Sequence, residues 1–337
     1  MTSRERFLAA LKGEKPDRPP LAHVSALTTL ELQQATGCFM PEVHADPEKL
    51  VRLTGANHDV LGFDAVSFII NYFNEPAALG CEMSWGGPDE LPVYKSHAWS
   101  RVEDAVAPAD LLGWPPIRRC LDTLSLAKER YGTRAAILGK VMGPFSMTLV
   151  MHGLENVLAA TVEAPDLVTR FLDVAADILA SHANAQLAAG ADAVAIGEGG
   201  AGASMLSPAA YERLLLPVHQ RMVRAIRGPV IMHICGDITP RLAAMRRVGM
   251  ACFNFDWAIR PAAMKEAAGG AMRLMGNVNT GDLLRGPPAE IERQVFENLD
   301  AGIDIISPGC AVSPTCPNAN LRAMAEAIEK WHKAKRL

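Results

Sequence analysis

The chain has 337 residues, 49% of them hydrophobic and 21% charged, which is the makeup of a globular protein with a substantial core. Its formal charge of −4 and pI near 6.2 predict no attraction to nucleic acid or to an anionic membrane surface. Neither a secretory signal nor an apolar run of spanning length is visible, so a cytoplasmic location is expected.

The opening "SRERFLAALKG" (3–13) predicts a helix with Ser3 as N-cap, Glu5 in the first turn and Gly13 as the stop. Prolines at 16, 19 and 20 then break the pattern. Eight short strand-like runs follow, at 21–24, 60–68, 135–142, 193–197, 230–235, 251–256, 272–278 and 303–307. Helix-period stretches at 163–189, 208–226, 239–248, 261–268, 289–301 and 319–333 alternate with the later runs. Uninterrupted apolar strands predict cover on both faces, and strand–helix repetition predicts a parallel sheet. The junctions "AAGADAV" (188–194) and "DAGIDII" (300–306) each pass from a helix through glycine into a strand, as stacked βα units do. The expectation is one domain over 1–337, of class α/β: a (β/α)8 TIM barrel with an N-terminal helical extension. The Pro-, Gly- and Trp-rich segment 71–121 reads as an insertion over its mouth. No phosphate-binding glycine fingerprint follows the first strand, which counts against a dinucleotide site.

Seven cysteines, at 38, 81, 120, 235, 252, 310 and 316, are odd in number and scattered, which predicts free thiols in a reducing compartment. Cys38, Cys81, Cys120 and Cys252 read as small apolar fillers. "IMHICGD" (231–237) reads differently. His233 and Cys235 stand two apart at the end of the fifth run and so project to one face. Cys310, in "SPGC", lies just past the eighth run, with Cys316 as a rival on the same loop. Asp256 ends the sixth run, in "FNFD"; as an ordinary strand-end carboxylate it would pair with Arg260. C-terminal strand ends of a parallel barrel converge on one mouth. An imidazole, two thiolates and a carboxylate brought together there suit zinc best. A purely structural zinc is the alternative, and two thiolates count against a zinc hydrolase.

"HICGD" and "SPGC" resemble the His-x-Cys…Cys zinc motif of methylcobamide:thiol methyltransferases, in the uroporphyrinogen decarboxylase superfamily. Their best-known members methylate coenzyme M. The similarity runs through "SRERFLAALKGEKPDRPP", "MPEVHADPEKLVRL", "LGFDAVSF", "ALGCEMSWG", "GPFSMTLVMHGLENVL", "LSPAAYERLLLP" and "MGNVNTGDLL", in that order and over almost the whole chain. The resemblance implies a (β/α)8 barrel with Zn2+ on His233, Cys235 and Cys310. Asp256 is the expected fourth ligand and Glu198 the second choice. It also implies methylcobalamin or another methyl-corrinoid as co-substrate, brought by a corrinoid carrier protein, with a small thiol or methylated small molecule as the other reactant. Glu198, Asn277, Asn279, His23 and His152 are candidates for substrate or corrinoid contacts. The stretch around Trp85 to Pro88 is a candidate wall for a wide mouth, although Trp85 and Trp99 read equally as packing. The runner-up is the decarboxylase itself, whose signature places arginines just after the first strand. Residues 23–30 here read "HVSALTTL", without the bidentate cations a polycarboxylate needs.

Overall fold

Helix α1 (Ser3–Lys12) is capped by Thr2 and not by Ser3. The Thr2 hydroxyl accepts the Glu5 N–H at 3.2 Å, while the Glu5 carboxylate accepts the Thr2 N–H at 2.8 Å. Cap and glutamate must stand three apart for this reciprocal pair, and only Thr2 satisfies that spacing. Gly13, at φ 79°, ends the helix in the left-handed conformation, as expected. The computed structural model describes residues 1–68, 71–202 and 204–335.

Seven strands form one parallel sheet in chain order: β1 (Ala65–Ser67), β2 (Ala136–Met142), β3 (Ala193–Gly197), β4 (Val230–Ile234), β5 (Cys252–Phe255), β6 (Arg273–Val278) and β7 (Ile305–Pro308). The expected run 21–24 is not a strand; it contributes one parallel bridge, Leu21 to Ile306. That bridge nonetheless touches both edges. Ala22 donates to the Ile306 carbonyl at 2.9 Å, and the Asp64 N–H donates to the Leu21 carbonyl at 2.6 Å. The sheet is therefore curled, in a TIM-barrel-like fold. The run 60–68 shrinks to β1, because Val60 still caps the preceding helix and Gly62, at φ 79°, turns the chain before Asp64. The other strands start and stop within two residues of expectation.

Period two divides each strand between two layers. On β4, Val230, Met232 and Ile234 pack in the core beneath the outer helices, whereas Ile231 packs inside the sheet. The interior is closed at its base by Phe7, Ala10 and Leu11 of α1 against Ala136, Ala193 and Cys252. One end of the interior is thus dry, and chemistry is left to the other.

The expected helix at 163–189 forms as Pro165–Ala188, and a further helix, Leu154–Glu163, precedes it; Pro165 has no N–H to continue the first and starts the second. The stretch 208–226 passes through a π-helical turn at Tyr211–Leu215, just before Pro217. At 239–248 only a short 3-10 turn and the helix Leu242–Met245 form. The segment 71–121 holds more regular structure than expected. It begins with a helix at Asn71–Ala78, makes a hairpin of Met83–Ser84 against Val93–Tyr94, and enters the helix Pro115–Tyr131. Trp99 within it is a packing residue, stacked on Phe171 at 5.8 Å. Trp85 stands 5.4 Å from the ring of His44. Among the described residues no helix is long and apolar enough to cross a membrane.

The seam at Leu21 depends on a buried carboxylate. Asp64 is fully buried and accepts from Arg6 Nη1 (2.7 Å), Arg18 Nη1 (3.0 Å) and the Leu21 N–H (2.8 Å). Asp64→Ala leaves two guanidiniums without this partner and should cost about 3–5 kcal/mol in urea unfolding. Arg293→Ala, which breaks the exposed pairs to Glu290 and Glu297, should cost about 0–1 kcal/mol.

Candidate metal centre

His233 is the fourth residue of β4, registered between Gly197 of β3 and Asn254 of β5. Alternation sends Ile231, His233 and Cys235 inward. Gly236, at φ 78°, then turns the chain away, which a residue with a β-carbon does at a cost. Cys310 follows β7 after a single residue. Gly309 before it passes so close to Trp257 that an added Cβ would lie 2.8 Å from the Trp257 nitrogen.

These turns bring three donors together. His233 Nε2 is 3.2 Å from Cys235 Sγ, which is 3.5 Å from Cys310 Sγ, and all three lie within 4.8 Å of one another. His233 Nδ1 is 3.2 Å from the Asn254 carbonyl. A carbonyl only accepts, so Nδ1 carries the proton and Nε2 presents its lone pair to the sulfurs. The imidazole is buried, and both thiols are half-buried. Cys316 is elsewhere: its thiol donates to the Leu283 carbonyl at 3.1 Å, inside the core. The other filler cysteines are buried as expected.

The electrostatics describe one proton between two sulfurs. The hydrogen bond from Cys235, with help from His233, holds Cys310 well below the ordinary thiol range. The same bond, together with burial, pushes Cys235 up. Burial works to lower His233, but the hydrogen bond and charge of Cys310 outweigh it and raise the imidazole. An oriented imidazole and a thiol–thiolate pair fit a divalent ion of borderline softness, with zinc the best match.

The other expected residues fall in different places. Asp256 is buried near the group, and its charge raises both His233 and Cys235, but it is not one of the three convergent donors. Its Oδ1 accepts the Ala258 N–H at 2.9 Å. Among the described residues no ion pair joins it to Arg260. Glu198 is fully buried and committed. Its carboxylate accepts from the Phe145 N–H (3.1 Å), the Ser146 N–H (2.7 Å), the Ser146 hydroxyl (2.6 Å) and His219 Nε2 (2.9 Å). It thereby caps the helix Pro144–His152, where negative charge is favoured. Ligation by Glu198 would have to break those bonds. His23 is buried, with Nε2 3.0 Å from the Ala26 carbonyl; burial, then the charge of Lys140, lowers it to about 3. His152 Nδ1 donates to the Trp99 carbonyl at 2.7 Å, tying the 79–114 segment to that helix.

Asn277 and Asn279 are not at this mouth. Asn277 Nδ2 donates to the carbonyls of Asp256 (3.1 Å) and Ile259 (2.6 Å), and its Oδ1 accepts from Asn298 (3.1 Å). Asn279 caps the helix Thr280–Arg285. Both line a separate polar cleft with Arg260 and Arg293.

Two contributors escape motif reading. Asn254 supplies the carbonyl that orients His233, and its Nδ2 donates to the Met275 carbonyl (3.1 Å) and Ser307 Oγ (3.4 Å). Lys140, fully buried, donates to the Ser25 carbonyl. Each is a polar residue inside an apolar strand run, and that was the available signal. A cavity of about 330 Å3 adjoins the metal group, lined by His233, Cys235, Tyr94, Met142, Leu149 and Gly199 among others.

The chain belongs to the uroporphyrinogen decarboxylase family, whose pattern it matches over residues 2–331. It is 29% identical over 336 residues to a methylcobamide:CoM methyltransferase of Methanosarcina barkeri, covering 98% of each chain. It is also 30% identical over 335 residues to the methylated-thiol–coenzyme M methyltransferase of Methanosarcina mazei, covering 98% of this chain and 90% of that one. A solved methyltransferase structure from Methanosarcina mazei superimposes with a TM-score of 0.95 at 30% identity, covering 98% of this chain and 99% of the other.

Zinc binding must displace the proton that Cys235 shares with Cys310. Calorimetry at pH 7 in buffers of different ionisation enthalpy should therefore show net proton release on zinc binding, of at least about one proton per zinc. The raised His233 binds a second proton as pH falls, so release should climb toward two and affinity should fall on acidification. Zinc binding with no proton release would contradict this charge state.

Proposed function

We propose that this chain is a zinc-dependent methyltransferase that moves a methyl group between a methyl-corrinoid and the sulfur of a small thiol. The convergence of one imidazole nitrogen and two cysteine sulfurs at the C-terminal end of the curled sheet carries the reading. Bound there, zinc supplies a Lewis acid that holds a substrate sulfur as thiolate at neutral pH, without a separate base. His233 offers Nε2 to the ion because Asn254 occupies Nδ1. Cys235 and Cys310 bring negative charge, which keeps a bound thiolate electron-rich and nucleophilic. Asp256, buried beside them, is the proposed fourth donor, to be exchanged for substrate.

In the transfer the thiol gives its proton to solvent and a sulfur lone pair forms the new S–C bond. The methyl–cobalt bond of the corrinoid substrate breaks, leaving its electron pair on the corrinoid. The chain's contribution is orientation of sulfur and methyl carbon. Glu198 is a positioning residue: by capping Pro144–His152 it fixes the wall from which Leu149 faces the cavity. We further propose a closed (β/α)8 barrel as the scaffold and a transient corrinoid carrier protein as the partner. The activities of these relatives support this reading. Decarboxylation of a polycarboxylate is not favoured, because residues 23–30 hold no arginine and, among the described residues, no Arg or Lys lines the cavity.

Metal analysis with a methylcobalamin-dependent thiol methylation assay tests the proposal. Wild type should carry about one zinc per chain, filling its three-donor site. Cys310→Ala should lose zinc and activity while keeping its far-UV circular dichroism. Cys316→Ala should keep both zinc and activity. Retained zinc and activity in Cys310→Ala would remove the basis of the mechanism.

A further inference from the structure

The cavity beside the metal group has a chemical character of its own. Tyr94, Met142, Leu149, Val150, Gly197 and Gly199 make up most of the wall opposite His233 and Cys235. At about 330 Å3 it is at the small end of ligand pockets, which run from about 300 to 1,000 Å3. Such a space takes a small organic body beside the sulfur and excludes a macrocycle. The corrinoid would then have to approach from the open side.

Two polar groups of the wall are already engaged. The Ser146 hydroxyl donates to Glu198 at 2.6 Å and accepts the Gly200 N–H at 2.9 Å. The Ser25 carbonyl receives Lys140. Arg241, the other buried cation near these loops, sends its guanidinium to the carbonyls of Ala201 and Leu206. Among the described residues no cationic side chain lines the cavity. A sulfonate or carboxylate placed there would surrender its hydration with no paired charge in return, and that exchange is unfavourable. An uncharged carbon body loses nothing of the kind and gains burial against Met142, Leu149 and Val150.

We propose that the sulfur substrate of this site is a small thiol with an uncharged, apolar body, and not an anionic thiol. This rests on the thiol-activation reading above and narrows it to a substrate class. Gly199 fits the same picture: a β-carbon there would stand 3.9 Å from Cys235 Sγ, so the bare glycine leaves room for the substrate next to the metal ligands.

Isothermal calorimetry of the zinc-loaded protein tests the proposal without turnover, using 1-propanethiol and phenylmethanethiol against 2-mercaptoethanesulfonate and 3-mercaptopropionate. The uncharged thiols should bind at least about tenfold more tightly, and kcat/KM with methylcobalamin should rank the same way. Leu149→Arg puts a cation on the wall and should reverse the order. Val150→Lys, at a less buried position, serves the same purpose if Leu149→Arg fails to fold. Wild type that binds the anionic thiols as tightly as the neutral ones, or more tightly, overturns the substrate class and leaves zinc-bound thiol activation standing. If no thiol of either kind binds zinc-loaded protein, the activation reading falls and this inference falls with it.

Discussion

The backbone carbonyl of Asn254 is the constraint on which the site turns. In a free histidine either nitrogen can carry the proton, and only the unprotonated one can hold a metal. Register between two adjacent parallel strands sets the answer here. His233 and Asn254 are partners across β4 and β5, and the carbonyl stands 3.2 Å from Nδ1. Nε2 is thereby assigned to the sulfurs. The Asn254 side chain reaches on to the carbonyl of Met275 in β6 and the hydroxyl of Ser307 in β7, so three neighbouring strands brace one imidazole. Such outer partners tune a metal as well as orient its ligands.

Below that layer the interior is apolar, filled by small and branched side chains and closed by α1. Above it lie the half-buried thiols and the cavity. Between them, Lys140, His23, Ser25 and Asn254 form a polar belt with little access to water. Burial pushes the Lys140 ammonium well below its ordinary range, and it lowers His23. Burial therefore disfavours the charged form of each.

The sheet strands and the three convergent donors were largely legible in the sequence, for different reasons. Apolar runs bounded by glycine mark buried parallel strands because both faces are covered, and β3 matches expectation residue for residue. His233 and Cys235 were legible because period two is rigid: residues two apart share a face. Choosing Cys310 over Cys316 was not possible from spacing, since the choice depends on how the loop after β7 folds, and Cys316 turns into the core. Glu198 looked like a ligand because it ends a strand, but four donors from helix Pro144–His152 and His219 claim its carboxylate. Asn277 likewise ends a strand, yet its amide serves Asp256, Ile259 and Asn298. Strand-end position shows that a side chain can reach the mouth. Whether it does depends on partners from distant parts of the chain.

Zinc-edge X-ray absorption on the zinc-loaded protein tests the central claim most directly. Two sulfur scatterers at about 2.3 Å with nitrogen or oxygen at about 2.0–2.1 Å are expected, and a thiol substrate should add a third sulfur. A shell of nitrogen and oxygen alone, unchanged by thiol, would contradict the account.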